Sequence, residues 1–209
     1  MRLILARHGE TIWNREGRCQ GFSDIELTPE GVMQAQALAR SLEEEQIEAV
    51  YSSSLKRAFD TAEIIAQPHH LEVQREDDLR EINQGELEGL RYHELRDRYA
   101  PLLAAWRVRP AQVRMPGGES LEDVQKRAWS VILRIVRAHP KGNVLVVAHG
   151  LTNRAILCKA LEMDLEEFRR VDQDTATKNI IEFHYDGGEE RIVVTLLNDV
   201  CHLKLFSDE

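Results

Sequence analysis

The 209-residue chain predicts an α/β fold: a three-layer α/β/α sandwich whose sheet is mainly parallel with an antiparallel edge strand. Three observations carry this prediction. Short apolar, β-leaning runs alternate with longer segments whose apolar residues recur at helical spacing. The runs 3–6 and 144–147 are apolar at every residue, as strands covered on both faces are. The last third contains two β-leaning runs separated by Asp186-Gly187-Gly188, the pattern of a hairpin.

The elements follow in order. Residues 3–6 form the first strand. Thr28, Pro29 and Glu30 supply an N-cap, a proline at the first helical position and an acid in the first turn of a helix. That helix repeats Val32, Ala35, Leu38, Ala39 and Leu42. Residues 49–51 form the second strand, and Ser54 is a candidate cap for a helix through Ala58, Ala62 and Ile65. Residues 71–73 form a short third strand. From 79 to 116 the periodicity weakens: a helix over 92–99 gives way to a stretch punctuated by Pro101, Pro110 and Pro116. This predicts an insertion around 90–117, placed like a lid over the sheet edge. Ser120 and Asp123 form a variant capping box before a long amphipathic helix through Leu121, Val124, Ala128, Ile132 and Ile135. Residues 143–148 hold the most apolar strand, followed by a helix over 150–161. Residues 180–185 and 192–197 make the hairpin. Without a repeat, low-complexity tract or linker, 1–209 reads as one domain.

Composition excludes several classes. The formal net charge is −9 and the pI near 5.4, which argues against nucleic acid or an anionic membrane as partner. A phosphorylated substrate then needs a local cationic pocket. Cys19, Cys158 and Cys201 are odd in number, widely spaced and without a CxxC pair, which predicts reduced thiols in a cytoplasm. The first apolar run is too short for a signal peptide, and no segment approaches a membrane span. The oligomeric state is left open, with a homodimer among the options.

Three strand ends carry candidate chemistry. The first delivers Arg7-His8-Gly9-Glu10-Thr11, the second leads through Ser52 and Ser53 to Arg57, and 143–148 delivers His149-Gly150. Parallel strands in one sheet bring all three to the carboxyl edge, where open α/β sheets bind ligands. Lys56 and Arg57 sit in a first helical turn, where each cation opposes the helix dipole by about 0.3–1 kcal/mol. A bound anion reverses that penalty. Lys56 reads as a solvated side chain and Arg57 as a ligand. Gly150 opens a helix, so its amide can face an anion with no Cβ in the way. A carboxylic acid partly buried beside like charge can act as proton donor. Glu81, Glu86 and Glu88 all compete for that role in a chain with 36 acids. His69, His70, His93, His139 and His184 read as structural or surface residues without metal-ligand spacing, and His202 stays open.

The motifs together resemble the histidine phosphatase (phosphoglycerate mutase-like) superfamily. RHGETxWN spans 7–14, and SSxxRAxxTA spans 53–62. Leu79-Arg80-Glu81-Ile82 precedes Gly85 and Glu88-Gly89, Gly117-Gly118-Glu119-Ser120 follows, and Val-Val-Ala-His-Gly ends at 150. The resemblance implies a metal-independent phosphomonoesterase without other cofactors, acting on a small phosphorylated metabolite. In it His8 is the nucleophile forming a phosphohistidine, Arg7 and Arg57 clamp the phosphoryl group, His149 adds a donor and Glu81 is the acid. It also implies hydrogen bonds to phosphoryl or substrate from Asn14 and Gln20. Glu119 either starts the long helix or bonds into the pocket.

Cofactor-dependent phosphoglycerate mutase is the alternative. Such mutases carry a longer insertion than the roughly 30 residues that separate Gly89 from Glu119, so a short lid admitting water favours hydrolysis. A non-catalytic phosphate-binding module would be expected to lack His8, Arg57, Glu81 or His149, and all four are present. The run Leu197-Asn198-Asp199-Val200-Cys201-His202-Leu203 resembles the tail of metal-independent phosphoserine phosphatases, making phosphoserine a candidate substrate. Gln84 departs from the histidine such enzymes tend to carry there.

Overall fold

The computed structural model describes residues 1–186 and 188–204. Six strands form one sheet: β1 (Arg2–Arg7), β2 (Ile47–Ser53), β3 (Val73–Glu76), β4 (Asn143–Ala148), β5 (Lys178–Asp186) and β6 (Glu189–Asp199). Their spatial order is β3-β2-β4-β1-β5-β6. β1, β2, β3 and β4 run parallel, whereas β5 pairs antiparallel with β1 and β6 antiparallel with β5.

Side-chain alternation divides the core into two layers. Ile4, Ala6, Leu145 and Val147 pack with Leu38, Ala58, Ala62 and Ile65 from α2 (Pro29–Leu42) and α3 (Lys56–Ala66). Leu3, Leu5, Val144 and Val146 face the other way, onto Leu121, Val124, Ile132 and Ile156 from α6 (Leu121–Ala138) and α7 (Gly150–Ala160). Each of these strand residues is fully buried, worth about 1.5–3 kcal/mol for a large aliphatic side chain. The three-layer expectation and the antiparallel edge are both present.

Locally capped elements form where the sequence places them. Thr28 Oγ1 accepts from Gly31 N at 3.0 Å, and Ser120 and Asp123 complete their capping box. Two short helices, α4 (Tyr92–Arg98) and α5 (Ala100–Val108), occupy the 90–117 stretch. α5 departs from expectation. Pro101 sits in its first turn, where a missing N–H costs nothing, and so starts a helix instead of breaking one. Edge-to-face packing of Trp106 on Phe168 (5.7 Å) and the Arg169 Nη2–H bond to Trp106 O (2.9 Å) fasten α5 to the body.

Ser54 is not a cap. The N-cap of α3 is Leu55, which offers no side-chain acceptor; Ser54 Oγ bonds Asp77 instead. The α3 amino terminus is satisfied from a distance, by Asp24 Oδ1 accepting from Lys56 N at 2.6 Å. The third strand forms over Val73–Glu76, beginning on the last residue of the run 71–73 expected to make it. Both hairpin strands exceed 180–185 and 192–197; of the connecting residues, Gly187 lies outside the described residues. No helix among the described residues is long and apolar enough to cross a membrane.

Candidate active site

The register of the parallel strands sets the site. Arg7 pairs with Ala148 and Ser52 with Val147, so His8 and His149 leave their strands at one level, one residue beyond Ser53 at the end of β2. The His8 and His149 rings lie 5.1 Å apart, tilted by 59°. Both are buried, at 2% and 0% exposure. Gly9 lets the chain turn there because a Cβ would meet Gly31 O at 2.3 Å, where α2 begins against the loop.

His8 is held in one orientation. Its Nδ1–H donates to Gly9 O at 2.7 Å, while Nε2 makes no hydrogen bond within the described residues. Burial, then the charges of Arg57 and Arg7, push its pKa well below the usual histidine value, so the imidazole is neutral at neutral pH. His149 is depressed in the same way, by burial first and Arg57 next. Ser53 Oγ accepts from Leu55 N (3.2 Å) and lies 2.7 Å from His149 Nε2. The hydroxyl's single proton is thus free to donate to Nε2, leaving the ring proton on Nδ1. That nitrogen is buried without a partner among the described residues.

The two arginines share this feature. Arg57, fully buried, donates through Nη1 to Ser23 O and through Nη2 to Gly21 O, both at 2.9 Å. Burial pushes its pKa down to about 10, still fully cationic at neutral pH. Arg7 donates through Nη1 to Gln173 O at 2.5 Å and lies beside Gly150, where an added Cβ would meet the guanidinium at 3.5 Å, an ordinary contact, so Arg7 does not require a glycine there. The Nε atoms of Arg7 and Arg57 are both buried and have no hydrogen-bond partner among the described residues. Lys56, by contrast, is exposed beside Glu26 and Asp60, as a solvated cation should be.

The three competing carboxylates separate cleanly. Glu81 reaches the start of α7: Oε1 accepts from Ile82 N and Thr152 N, Oε2 accepts from Leu151 N (3.1 Å), and the Thr152 hydroxyl, 3.2 Å from Oε1, donates its one proton to Arg80 O at 2.9 Å. The Leu151 and Thr152 amides are therefore engaged, and at this helix start only the Gly150 amide stays available to a ligand. Glu88 accepts from Phe22 N, Ser23 N and Ser23 Oγ, shaping the loop whose carbonyls hold Arg57. Glu86 accepts from Tyr99 OH at 3.1 Å in an exposed pair.

Asn14 and Gln20 come together at Thr11. The Thr11 hydroxyl lies 2.9 Å from both Asn14 Oδ1 and Gln20 Oε1, which leaves both side-chain NH₂ groups without a protein partner among the described residues. Glu119 does not face the long helix alone. It receives a forked pair from Arg127 (2.9 Å each) and accepts from Asn83 N, so it braces the segment carrying Glu81. Arg127 extends that brace to the carbonyls of Asp78, Arg80 and Glu81. Sequence reasoning passed over Arg127, although an arginine three residues after Val124 and four before Val131 stands on the buried stripe of α6. Gln173, Asn153 and Asn179, a buried amide cluster behind Arg7, carried no such signal.

The chain matches the model of the histidine phosphatase superfamily (branch 1) over residues 3–198. It is 37% identical over 206 residues to phosphoserine phosphatase 1 of Hydrogenobacter thermophilus, covering 99% of this chain and 96% of that protein. It is 34% identical to a 2,3-bisphosphoglycerate-dependent phosphoglycerate mutase of Cytophaga hutchinsonii, covering 97% and 93%. A mycobacterial glucosyl-3-phosphoglycerate phosphatase solved with vanadate superposes with a TM-score of 0.87 at 29% identity, over 94% of this chain and 98% of that one. With family, fold and motif order in agreement, the chain belongs to branch 1 of the histidine phosphatase superfamily and is a phosphomonoesterase of that family.

Proposed function

We propose that this chain hydrolyses small phosphorylated metabolites through a phosphohistidine on His8. One observation carries the reading: Arg7 Nε, Arg57 Nε and His149 Nδ1 are buried donors without partners, grouped about a neutral imidazole. Buried donors are rarely left unpaired, and a phosphoryl group offers the oxygens to complete all three.

In the first step the His8 Nε2 lone pair attacks phosphorus, in line with the ester oxygen. The P–O bond breaks, and its electron pair leaves on that oxygen, which takes a proton from Glu81. Oε2 is the oxygen suited to hold that proton, since it accepts one amide bond and Oε1 accepts two. In the second step water gives a proton back to Glu81 and attacks phosphorus, and the P–N pair returns to Nε2. Arg7, Arg57 and His149 meet the charge on the non-bridging oxygens throughout, so no metal enters the proposal. The Asn14 and Gln20 amides and the Gly150 N–H are placed to bond phosphoryl or leaving group.

Residues 90–117 act as the lid, and water admitted beneath it discharges the phosphohistidine. Phosphoserine is the leading candidate substrate, supported by the relative of that name and by the resemblance of the 197–203 tail. Mutase activity is the second reading, favoured by the mutase relative; phosphate release against interconversion of the phosphoglycerates separates the two. The free cysteines fit a cytoplasmic protein.

Reaction with radiolabelled p-nitrophenyl phosphate and an alkaline quench should trap acid-labile phosphate on His8. His8→Ala should lose both label and turnover. Undiminished turnover in that variant would overturn the proposal.

A further inference from the structure

The segment before β5 clasps the nucleophile by its backbone. Thr177 O accepts from Arg7 N and Ala176 N donates to His8 O, each at 3.0 Å. Ala176 is fully buried and left-handed, at φ +53°, a conformation that residues with a Cβ seldom adopt unless their surroundings impose it. The C-terminal tail imposes it. His202, 6% exposed in the short helix α8 (Cys201–Lys204), donates from Nε2 to Ala176 O at 3.0 Å. Thr177 Oγ1 donates to Asp199 O at 3.2 Å, and Asp199 Oδ1 accepts from Cys201 N, closing the turn that aims His202 inward.

The His8–Gly9 peptide is gripped at both polar atoms. Ala176 N holds His8 O, and Gly9 N donates to Thr61 Oγ1 at 3.1 Å. The orientation of that peptide sets where Gly9 O sits, and Gly9 O fixes the imidazole through Nδ1. We propose that His202 is a positioning residue for His8, acting through Ala176. Removing the His202 donor strands a buried carbonyl on Ala176. Relaxation of that residue toward right-handed backbone turns its N–H away from His8 O. The peptide plane is then held through Gly9 N alone, and Nε2 shifts from the line of attack. The inference rests on His8 being the nucleophile.

The test compares His202→Ala with His202→Gln in the full chain, because a glutamine amide can replace the donor to Ala176 O. Rapid-quench measurement of His8 phosphorylation by p-nitrophenyl phosphate is read beside kcat, KM and thermal midpoint. His202→Ala should slow phosphorylation and kcat by about 10–100-fold with KM within about threefold, and His202→Gln should recover most of the rate. If His202→Ala folds poorly, His202→Asn, polar but too short to reach Ala176 O, carries the same comparison. Wild-type phosphorylation rates in the alanine or asparagine variant would overturn the role, as would a change in KM or thermal midpoint alone. Absence of phosphohistidine in the wild-type chain would instead overturn the reading of His8 as nucleophile.

Discussion

In the proposed reaction Arg57 meets a dianion with a guanidinium already aimed. Two of its nitrogens are tied to Ser23 O and Gly21 O, and those carbonyls are themselves set by Glu88 on the loop amides. The guanidinium is therefore oriented before any ligand arrives, with Nε left over. A lysine keeps the charge but cannot bond two carbonyls and a phosphoryl oxygen from one planar fork. Arg57→Lys should lower kcat on p-nitrophenyl phosphate by about 10²-fold, the usual cost of one pre-aimed donor. Steady-state kinetics on folded protein would check this, and wild-type kcat would count against the clamp.

At the scale of elements, the carboxyl edge is assembled by contacts between segments, not within them. α7 begins at His149 with no side-chain cap of its own and is completed by Glu81, some 70 residues earlier in the chain. Glu81 depends on the Glu119–Arg127 pair, which binds the backbone from Asp78 to Asn83. Loosening that brace should impair proton delivery more than phosphoryl binding. Arg127→Met should cost at least about tenfold in kcat on an alkyl ester such as phosphoserine, part of the roughly 10²–10⁴ that a general acid supplies. Burst-phase phosphorylation of the same variant by p-nitrophenyl phosphate, read before the second step calls on Glu81 as base, should hardly change, because phenolate leaves without a proton. Equal losses on both esters would show that the pair serves the fold rather than the acid.

For the whole molecule, the buried neutral histidines couple the site to stability. His8 and His149 have folded-state pKa values well below the unfolded value near 6.5, so the unfolded chain takes up protons first as pH falls. Stability present at pH 7 and above is then lost below about pH 6.5, at up to about 1.4 kcal/mol per pH unit for each histidine. His202, also lowered by burial, acts in the same direction. Asp123 and Asp199, lowered from 3.8, add their losses only below about pH 4. Urea midpoints should therefore fall between pH 7.5 and 5.5, less steeply in a His8→Asn/His149→Asn double variant. A flat or rising profile in the unaltered chain would contradict the neutral assignment.

Much of this molecule is legible in its residues alone. The apolar runs at 3–6 and 144–147, the caps at Thr28 and Ser120, and the strand-end placement of His8 and His149 are local patterns, and local patterns are what burial on both faces and helix capping write into a chain. They determined the layered α/β class, the edge at which the site lies and the family. Tertiary structure alone decided which of Glu81, Glu86 and Glu88 meets α7, that Asp24 rather than Ser54 starts α3, that Glu119 acts through Arg127, and that the tail reaches His8 through Ala176. Each of those outcomes rests on at least one hydrogen bond between groups 23 or more residues apart. A bond of that span leaves no periodicity in the sequence, because its partners become neighbours only when the parallel strands align their carboxyl ends.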